Sequence, residues 1–349
     1  MEPNISSKVK GALFAPTAGI IDPFTTVVHA VENAVDNGVK LFLNNKVENI
    51  IKQGDEFLVK TNKNELKTKI VINCAGVYSD KIAQMIEEID WKTTPRRGEY
   101  FVLDHFAYGF VNHTIFPLPS EKGKGILITP TTSGNYLMGP SSEIIDDYDD
   151  VSTDKPTLDV VKNQILDMVP SVPLSKIIRT FAGNRPTTTR HDFIIEYAKT
   201  DKFFINVAGI ESPGFVSSPA IAKYVVEELV NNIISLSEKK DYNSRVKKHD
   251  ILFDMGLEKR SEFVKENPEY GEIICNCEKI SLGEIKDILN RNVAPRSVKG
   301  VKKRSRAGFG MCQGGFCQTR VVEILADHYN VSPLDILYED EDSNILLNK

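Results

Sequence analysis

Cys275-Asn276-Cys277 and, after a gap of 34 residues, Cys312-Gln313-Gly314-Gly315-Phe316-Cys317 gather four of the chain's five cysteines near its C-terminal end. A secreted disulfide scaffold would be shorter and richer in cysteine, so thiols clustered in this way point to a metal centre. Between the pairs, Ser281-Leu282-Gly283-Glu284 has the form of a capping box and opens a helix through Ile285, Ile288 and Leu289. After them, Thr319 to His328 reads as a second helix that buries Val321, Val322, Ile324 and Leu325. Two ligand loops beside two short helices make a small, mostly helical unit.

Spacing alone leaves two metals open. Zinc sites favour ligand pairs separated by two to four residues, which the second pair satisfies, whereas C-x-C is tight for a zinc knuckle. Iron–sulfur clusters need four thiolates, two per iron in a [2Fe–2S] centre. They also need backbone close enough to donate N–H bonds to sulfur, an approach that Gly308, Gly310, Gly314 and Gly315 permit. The basic run Lys299, Lys302, Lys303, Arg304 and Arg306 would offset an anionic centre; on its own such a run is equally a solvated patch or a phosphate site.

The remaining chain is of ordinary globular composition: 349 residues, 41% hydrophobic, 26% charged, with formal net charge −5. That places it outside the disordered regime and makes nucleic acid an unexpected partner. No apolar run is long enough to span a bilayer, and Met1-Glu2-Pro3-Asn4 does not open a signal peptide, so the expected setting is cytoplasmic and reducing. Cys74, alone in the apolar run Ile70 to Ala75, is expected to be a buried, inert thiol.

Asp22-Pro23 reads as N-cap and first turn of a helix with Phe24, Val27, Val28, Val31, Ala34 and Val35 at helical spacing, closed by Gly38. Alternating runs at Lys40–Leu43, Lys46–Lys52 and Phe57–Lys60 and the apolar run Ile70–Cys74 are expected strands, and Ser79–Ile86 a helix. From Lys92 to about Glu196 the pattern is strand-like pieces between Pro and Gly, which fits an antiparallel sheet. Phe203–Val207 is a further strand, and Ser218-Pro219 starts an amphipathic helix. The expected fold class is α/β (α+β): a partial α/β part over 1–90 with a return over 197–234, and an antiparallel-sheet part over 91–196. A charged linker over 235–270, the small metal-binding unit over 271–330 and a tail over 331–349 complete it.

The segment Ile273 to Tyr329 resembles the bacterioferritin-associated-ferredoxin type of [2Fe–2S] domain. Within it, Arg304-Ser-Arg-Ala-Gly-Phe-Gly-Met-Cys312-Gln-Gly is similar to the version fused to the large subunit of anaerobic glycerol-3-phosphate dehydrogenases. The resemblance implies a [2Fe–2S] cluster held by Cys275, Cys277, Cys312 and Cys317.

Met1 to about Asn232 resembles the D-amino-acid-oxidase-like FAD oxidoreductases, with L-2-hydroxyglutarate oxidases and glycerol-3-phosphate dehydrogenases as the nearest look-alikes. The resemblance rests on Gly19-Ile-Ile-Asp22-Pro23, Val47, Val71-Ile-Asn-Cys-Ala-Gly76 and Arg97-Gly98-Glu99-Tyr100. Phe181-Ala-Gly-Asn-Arg185-Pro186 and Val207-Ala-Gly-Ile-Glu-Ser-Pro-Gly214 complete the set. It implies that Val47, Ala75, Gly76, Gly209, Ile210, Pro213, Gly214 and Phe215 face FAD, and that Arg185 anchors an anionic substrate, with Arg97 the second candidate. No side chain is assigned as catalytic base, although His113 and His191 lie in the right region. The opening G-x-G-x-x-G of that family does not occur here; the chain is expected to enter the family pattern about 130 to 150 residues late, a span of domain size. The pyrophosphate-binding segment would then be upstream or on a separate polypeptide. The implied function is dehydrogenation of a small anionic hydroxy substrate, glycerol 3-phosphate or a 2-hydroxy acid. Electrons would leave flavin through the cluster to an acceptor protein or quinone, with any membrane association peripheral. An electron-transfer or cluster-scaffold module without substrate chemistry is the alternative.

Overall fold

Asp22 accepts the N–H of Thr25 at 2.8 Å and Pro23 fills the first turn, so α1 (Pro23–Asp36) starts where the sequence signals it. The computed structural model describes residues 1–105, 109–119 and 124–347. Lys40–Leu43, expected as a strand, is irregular, and Leu41, Phe42 and Leu43 are exposed; alternation makes a strand only where a neighbour supplies the ladder. β1 (Val47–Gln53), β2 (Glu56–Thr61) and β3 (Glu65–Thr68) form an antiparallel meander. Phe57 of the meander packs against Phe204 at 6.2 Å between ring centroids. β4 (Val71–Asn73) follows, and then α2 (Ser79–Ala83), which ends three residues before the expected Ile86.

The middle of the chain is an antiparallel sheet of β5 (Thr93–Leu103), β6 (Leu127–Pro130), β7 (Tyr136–Gly139) and β8 (Glu143–Ile144), ordered β6-β7-β5-β8. Between β8 and the next strand the chain forms α3 (Lys155–Met168), where only strand-like pieces were expected. Asp154 caps α3 by accepting the Thr157 N–H, and Val161 and Ile165 pack it on Leu103, Ile128 and Met138 of the sheet. β9 (Ile177–Thr188) then pairs with β5 along nearly its whole length, from Thr93↔Thr188 to Leu103↔Ile177.

β10 (Ile194–Tyr197) and β11 (Phe204–Ala208) return the chain to the first part, where β11 runs parallel to β4. Asn73 locks that junction, donating to Ser79 O at 2.8 Å and to Asn206 Oδ1 at 2.9 Å. α4 (Gly214–Tyr224) begins four residues before the expected Ser218, so Pro219 lies inside it. The carbonyl of Phe215, which an ordinary residue at 219 would bond, instead accepts the Ser218 hydroxyl at 2.8 Å. The helix runs on as a π-helical stretch, Val225–Val230.

The chain then passes along α1, where Asn33 and Asn37 both donate to the carbonyl of Asn243 at 2.8 Å. It continues through α5 (Leu257–Glu266) to a two-stranded ribbon, β12 (Ile273–Cys275) and β13 (Ile280–Ser281). α6 (Leu282–Leu289) opens on the full Ser281/Glu284 capping box, and α7 (Val298–Ser305) and α8 (Gln318–Tyr329) complete the unit. Ile285, Ile288, Val301, Val321 and Leu325 are its core, and Cys275 and Cys317 are buried at the edge of that core. No helix among the described residues is long and apolar enough to cross a membrane.

Candidate functional site: a sheet face, an apolar trough and four thiols

Directly opposed residues of antiparallel strands share a face of the sheet, and alternate residues change face. The β5–β9 register pairs Arg96 with Arg185, Gly98 with Gly183 and Tyr100 with Phe181, so these six line one face. The Tyr100 and Phe181 rings stack there, 4.9 Å apart and 4° from parallel. Arg185 is oriented by carbonyls: its Nη2 donates to Ser141 O at 2.8 Å and its Nε to Arg96 O at 3.2 Å. No carboxylate forms a salt bridge with it among the described residues. Burial, and then the neighbouring Arg96 charge, pull its pKa below the usual guanidinium value. A positive charge held in place by carbonyls, with Glu211 acting on it without a direct salt bridge, is suited to an anion.

The loop after β11 covers this face. Glu211 accepts from Thr187 Oγ1 at 2.9 Å and forms an ion pair with Arg96. Ser212 Oγ accepts from Lys124 Nζ at 3.0 Å, which brings a further cation to the loop. Gly209, where the loop turns, has φ +67°, and a Cβ there would lie 2.8 Å from Asp192 O, so only glycine closes this turn without strain.

Arg97 faces the other way. Being one residue on from Arg96, it points through the sheet to Glu99, Glu143, Asp150 and Asp154, at 3.4, 3.2, 2.7 and 3.0 Å. Glu99 is fully buried, and burial raises its pKa against the pull of the Asp154 N–H and of Arg97. The structure thus does not bring the two candidate anchors together: Arg97 locks the start of α3 to the sheet. Of the candidate histidines, His113 meets Glu2 and His191 is exposed in the turn after β9.

Beside the Arg185 face lies an open trough of about 490 Å³. Ile72, Cys74, Gly76, Pro186, Gly209 and Ile210 are among its lining residues, and α4 supplies one wall through Ser218, Ile221 and Ala222. Cys74 is exposed here, not buried as its apolar context suggested: it follows the last residue of a strand whose outer side faces this space. Ala75 is exposed beside it. Pro213 and Gly214 open α4, no side chain caps the helix, and Phe215 is exposed at its first turn. Val47 is set apart from the trough, at the head of β1 against the Phe57–Phe204 cluster.

The four other cysteines converge. Cys277 and Cys312 are half-buried with their sulfurs 3.6 Å apart, and Cys275 and Cys317 are buried. The Gly308 N–H points at Cys275 Sγ from 3.5 Å. A hydrogen bond from Cys317, together with the Gly308 and Glu278 N–H groups, draws Cys275 down to about 6. Against the burial that raises it, the N–H groups of Phe316 and Gly314 bring Cys312 down as well. The N–H donors favour thiolates at Cys275 and Cys312, whereas Cys277 and Cys317, burdened by burial and by those neighbouring sulfurs, are raised and hold their protons. Gly310 backs onto the site so closely that a Cβ would fall 2.4 Å from Cys277 Cβ. Phe309, in the same loop, stacks on Phe24 at the start of α1 with centroids 6.2 Å apart.

The profile of the family described as FAD dependent oxidoreductase matches residues 1–228, and that of the BFD-like [2Fe-2S] binding domain matches residues 273–327. The chain belongs to the FAD-dependent oxidoreductase family. This oxidoreductase is 44% identical over 346 residues to the glycerol 3-phosphate dehydrogenase of Caloramator mitchellensis, an alignment covering 99% of the chain and 72% of the relative. It is 35% identical to the glycerol 3-phosphate oxidase of Mycoplasma genitalium over 69% of the chain and 63% of that protein. A solved L-α-glycerophosphate oxidase from Mycoplasma pneumoniae, with FAD bound, is 32% identical with a TM-score of 0.58, covering 63% of this chain and 58% of its own. The chain therefore spans less than two thirds of the length of the two Mycoplasma proteins.

The oxidoreductase's own residues fit both groups that these families carry. The apolar trough, its glycines and the uncapped amino end of α4 suit the ring end of a flavin, and the four convergent thiols with N–H donors suit a [2Fe–2S] cluster. Arg96 and Lys124 carry no signal in the sequence, and Glu211 and Ser212 stand there only within the Val207–Gly214 motif, without a role of their own. Arg96 adjoins a residue that was selected, and the pairing with β9 decides which of the two shares a face with Arg185.

Proposed function

We propose that this oxidoreductase dehydrogenates glycerol 3-phosphate and that the electrons leave through the four-cysteine centre to a separate acceptor. The observation that carries this reading is the Arg185 guanidinium, which has no carboxylate partner and shares its sheet face with the loop that Lys124 reaches. An anchored guanidinium, with a lysine bonded to the neighbouring loop, suits an anionic substrate such as a phosphate ester. The name of the Caloramator relative supports the same substrate.

Bound flavin supplies a two-electron acceptor and the cluster a one-electron acceptor. The protein's part is positioning. Arg185 holds the anionic end of the substrate, and the stacked Tyr100–Phe181 pair forms an apolar wall. The 209–214 loop leads into the amino end of α4, whose free N–H groups and dipole stabilise negative charge developing nearby.

The test is anaerobic addition of glycerol 3-phosphate to flavin-loaded protein. The expected result is bleaching of the flavin absorbance followed by the EPR signal of a reduced [2Fe–2S] centre. Bleaching by a 2-hydroxy acid in preference to glycerol 3-phosphate would overturn the substrate. Bleaching with no EPR signal would overturn the electron route.

A further inference from the structure

Five basic residues crowd the segment before the second cysteine pair, and the structure separates their duties. Lys299 and Lys303 both pair with Glu339, and Arg306 pairs with Glu278 at 2.8 Å while reaching Asn135. Arg304 turns back to the carbonyl of Gly300. Lys302 differs from the three that pair with carboxylates. It is only 4% exposed, and no carboxylate forms a salt bridge with it among the described residues.

Its ammonium is aimed at the ligand loop. Nζ lies 3.2 Å from Gln313 Oε1 and 4.8 Å from the centroid of the Phe309 ring. Gln313 is fixed in that orientation because its Nε2 donates to the carbonyls of Phe309 and Gly310, at 2.9 and 3.1 Å. Lys302 also lines a small cavity together with Gly308, Gly314 and Cys317. Of the charges that act on it, Arg179, Lys299 and Arg306 share its sign and the Cys317 sulfur opposes it. A buried ammonium among like charges is costly unless an anion compensates it. A [2Fe–2S] centre on four thiolates is such an anion, with two negative charges when oxidised and a third when reduced.

We infer that Lys302 is the counter-charge of the cluster and a positioning residue that sets its reduction potential. The inference rests on the cluster being bound at the four cysteines. A fixed positive charge stabilises the reduced state more than the oxidised one, because the reduced centre carries the additional electron. Lys302 thereby favours electron flow into the centre. Lys299, Lys303 and Arg306 already have carboxylate partners and contribute less, and Arg304 is acted on by Glu32 and Tyr329.

The experiment is an EPR-monitored redox titration of the full chain, with dithionite as reductant, alongside iron and sulfide analysis. In Lys302→Met the equilibrium constant for one-electron reduction is expected to fall about tenfold, a midpoint about 59 mV more negative. Lys302→Arg should stay near the parent value, and Lys303→Met, which removes a charge already paired with Glu339, should shift it far less. Failure of Lys302→Met alone to assemble the cluster, with Lys302→Arg intact, supports the same role. Equal potentials in all the proteins, or cluster loss in both Lys302 variants, would overturn it. A parent protein with iron and sulfide absent would instead refute the cluster reading itself.

Discussion

Removing a guanidinium from one face of the β5–β9 ladder should damage binding, and removing one from the other face should damage the fold. Arg185 is bound only to carbonyls, so Arg185→Met leaves no buried carboxylate without its partner. Its expected effect is a rise in KM for glycerol 3-phosphate of about 10- to 100-fold, the size of a lost charge-assisted pair, with the melting temperature nearly unchanged. Arg97→Met strands Glu99, which is fully buried, among three further carboxylates. Breaking a buried pair from one side costs about 3–5 kcal/mol, so the melting temperature should drop by on the order of 10 °C while KM in the surviving protein changes little. Steady-state kinetics and thermal melts on the two variants decide the matter: equal KM effects would place both arginines in the site, against the register.

At the scale of the element, the loop from Gly308 to Cys317 has little freedom. Gly310→Ala would drive a methyl into Cys277, so the expected outcome is a protein with well under one cluster per chain but near-normal helix content. Iron and sulfide analysis with far-ultraviolet circular dichroism measures both, and full occupancy would show that the loop can yield. Elements with a local cause were legible in the sequence: Asp22-Pro23 starts α1, and Ser281 with Glu284 starts α6. The gathering of the four cysteines was legible too, since their paired spacing can be read along the chain. Asp154-Lys155-Pro156 carries the same kind of start signal for α3, but it follows a Pro- and Gly-rich stretch that reads as sheet. What could not be read is whatever depends on partners far along the chain. Whether Arg96 or Arg97 shares a face with Arg185 is fixed by a strand nearly 90 positions away. Ser218-Pro219 reads as a helix start because the hydroxyl that relieves Pro219, on Ser218, acts only once the helix exists.

Across the whole molecule, the cluster-bearing unit is held on α1 by a polar seam that contains two histidines. The His29 and His249 rings stack at 5.3 Å, and the Glu32–Arg291 pair beside them is buried on both sides. Asp287 and Lys247 complete the set of charges facing His249. Burial first, then the charges of Arg291 and His29, bring His249 down to about 4, from 6.5 in an unfolded chain. Between those two values the unfolded chain binds the extra proton. The stabilisation from neutral His249 is therefore complete above about pH 6.5 and is lost progressively as pH falls toward 4. A shift of this size in a side chain that retains some exposure corresponds to on the order of 2–3 kcal/mol. Thermal melts of the parent and of His249→Gln between pH 7.5 and pH 4.5 should therefore converge, with the parent losing more of its stability on acidification. Protease sensitivity of the segment around Asn243, which α1 holds through Asn33 and Asn37, should rise over the same range in the parent protein. Parallel melting curves for the two proteins would place the acid-labile contact elsewhere. Because Phe309 meets Phe24 across this seam, loosening it should also slow cluster reduction by substrate without changing the cluster's own potential. That separates a docking defect from the loss of charge at Lys302.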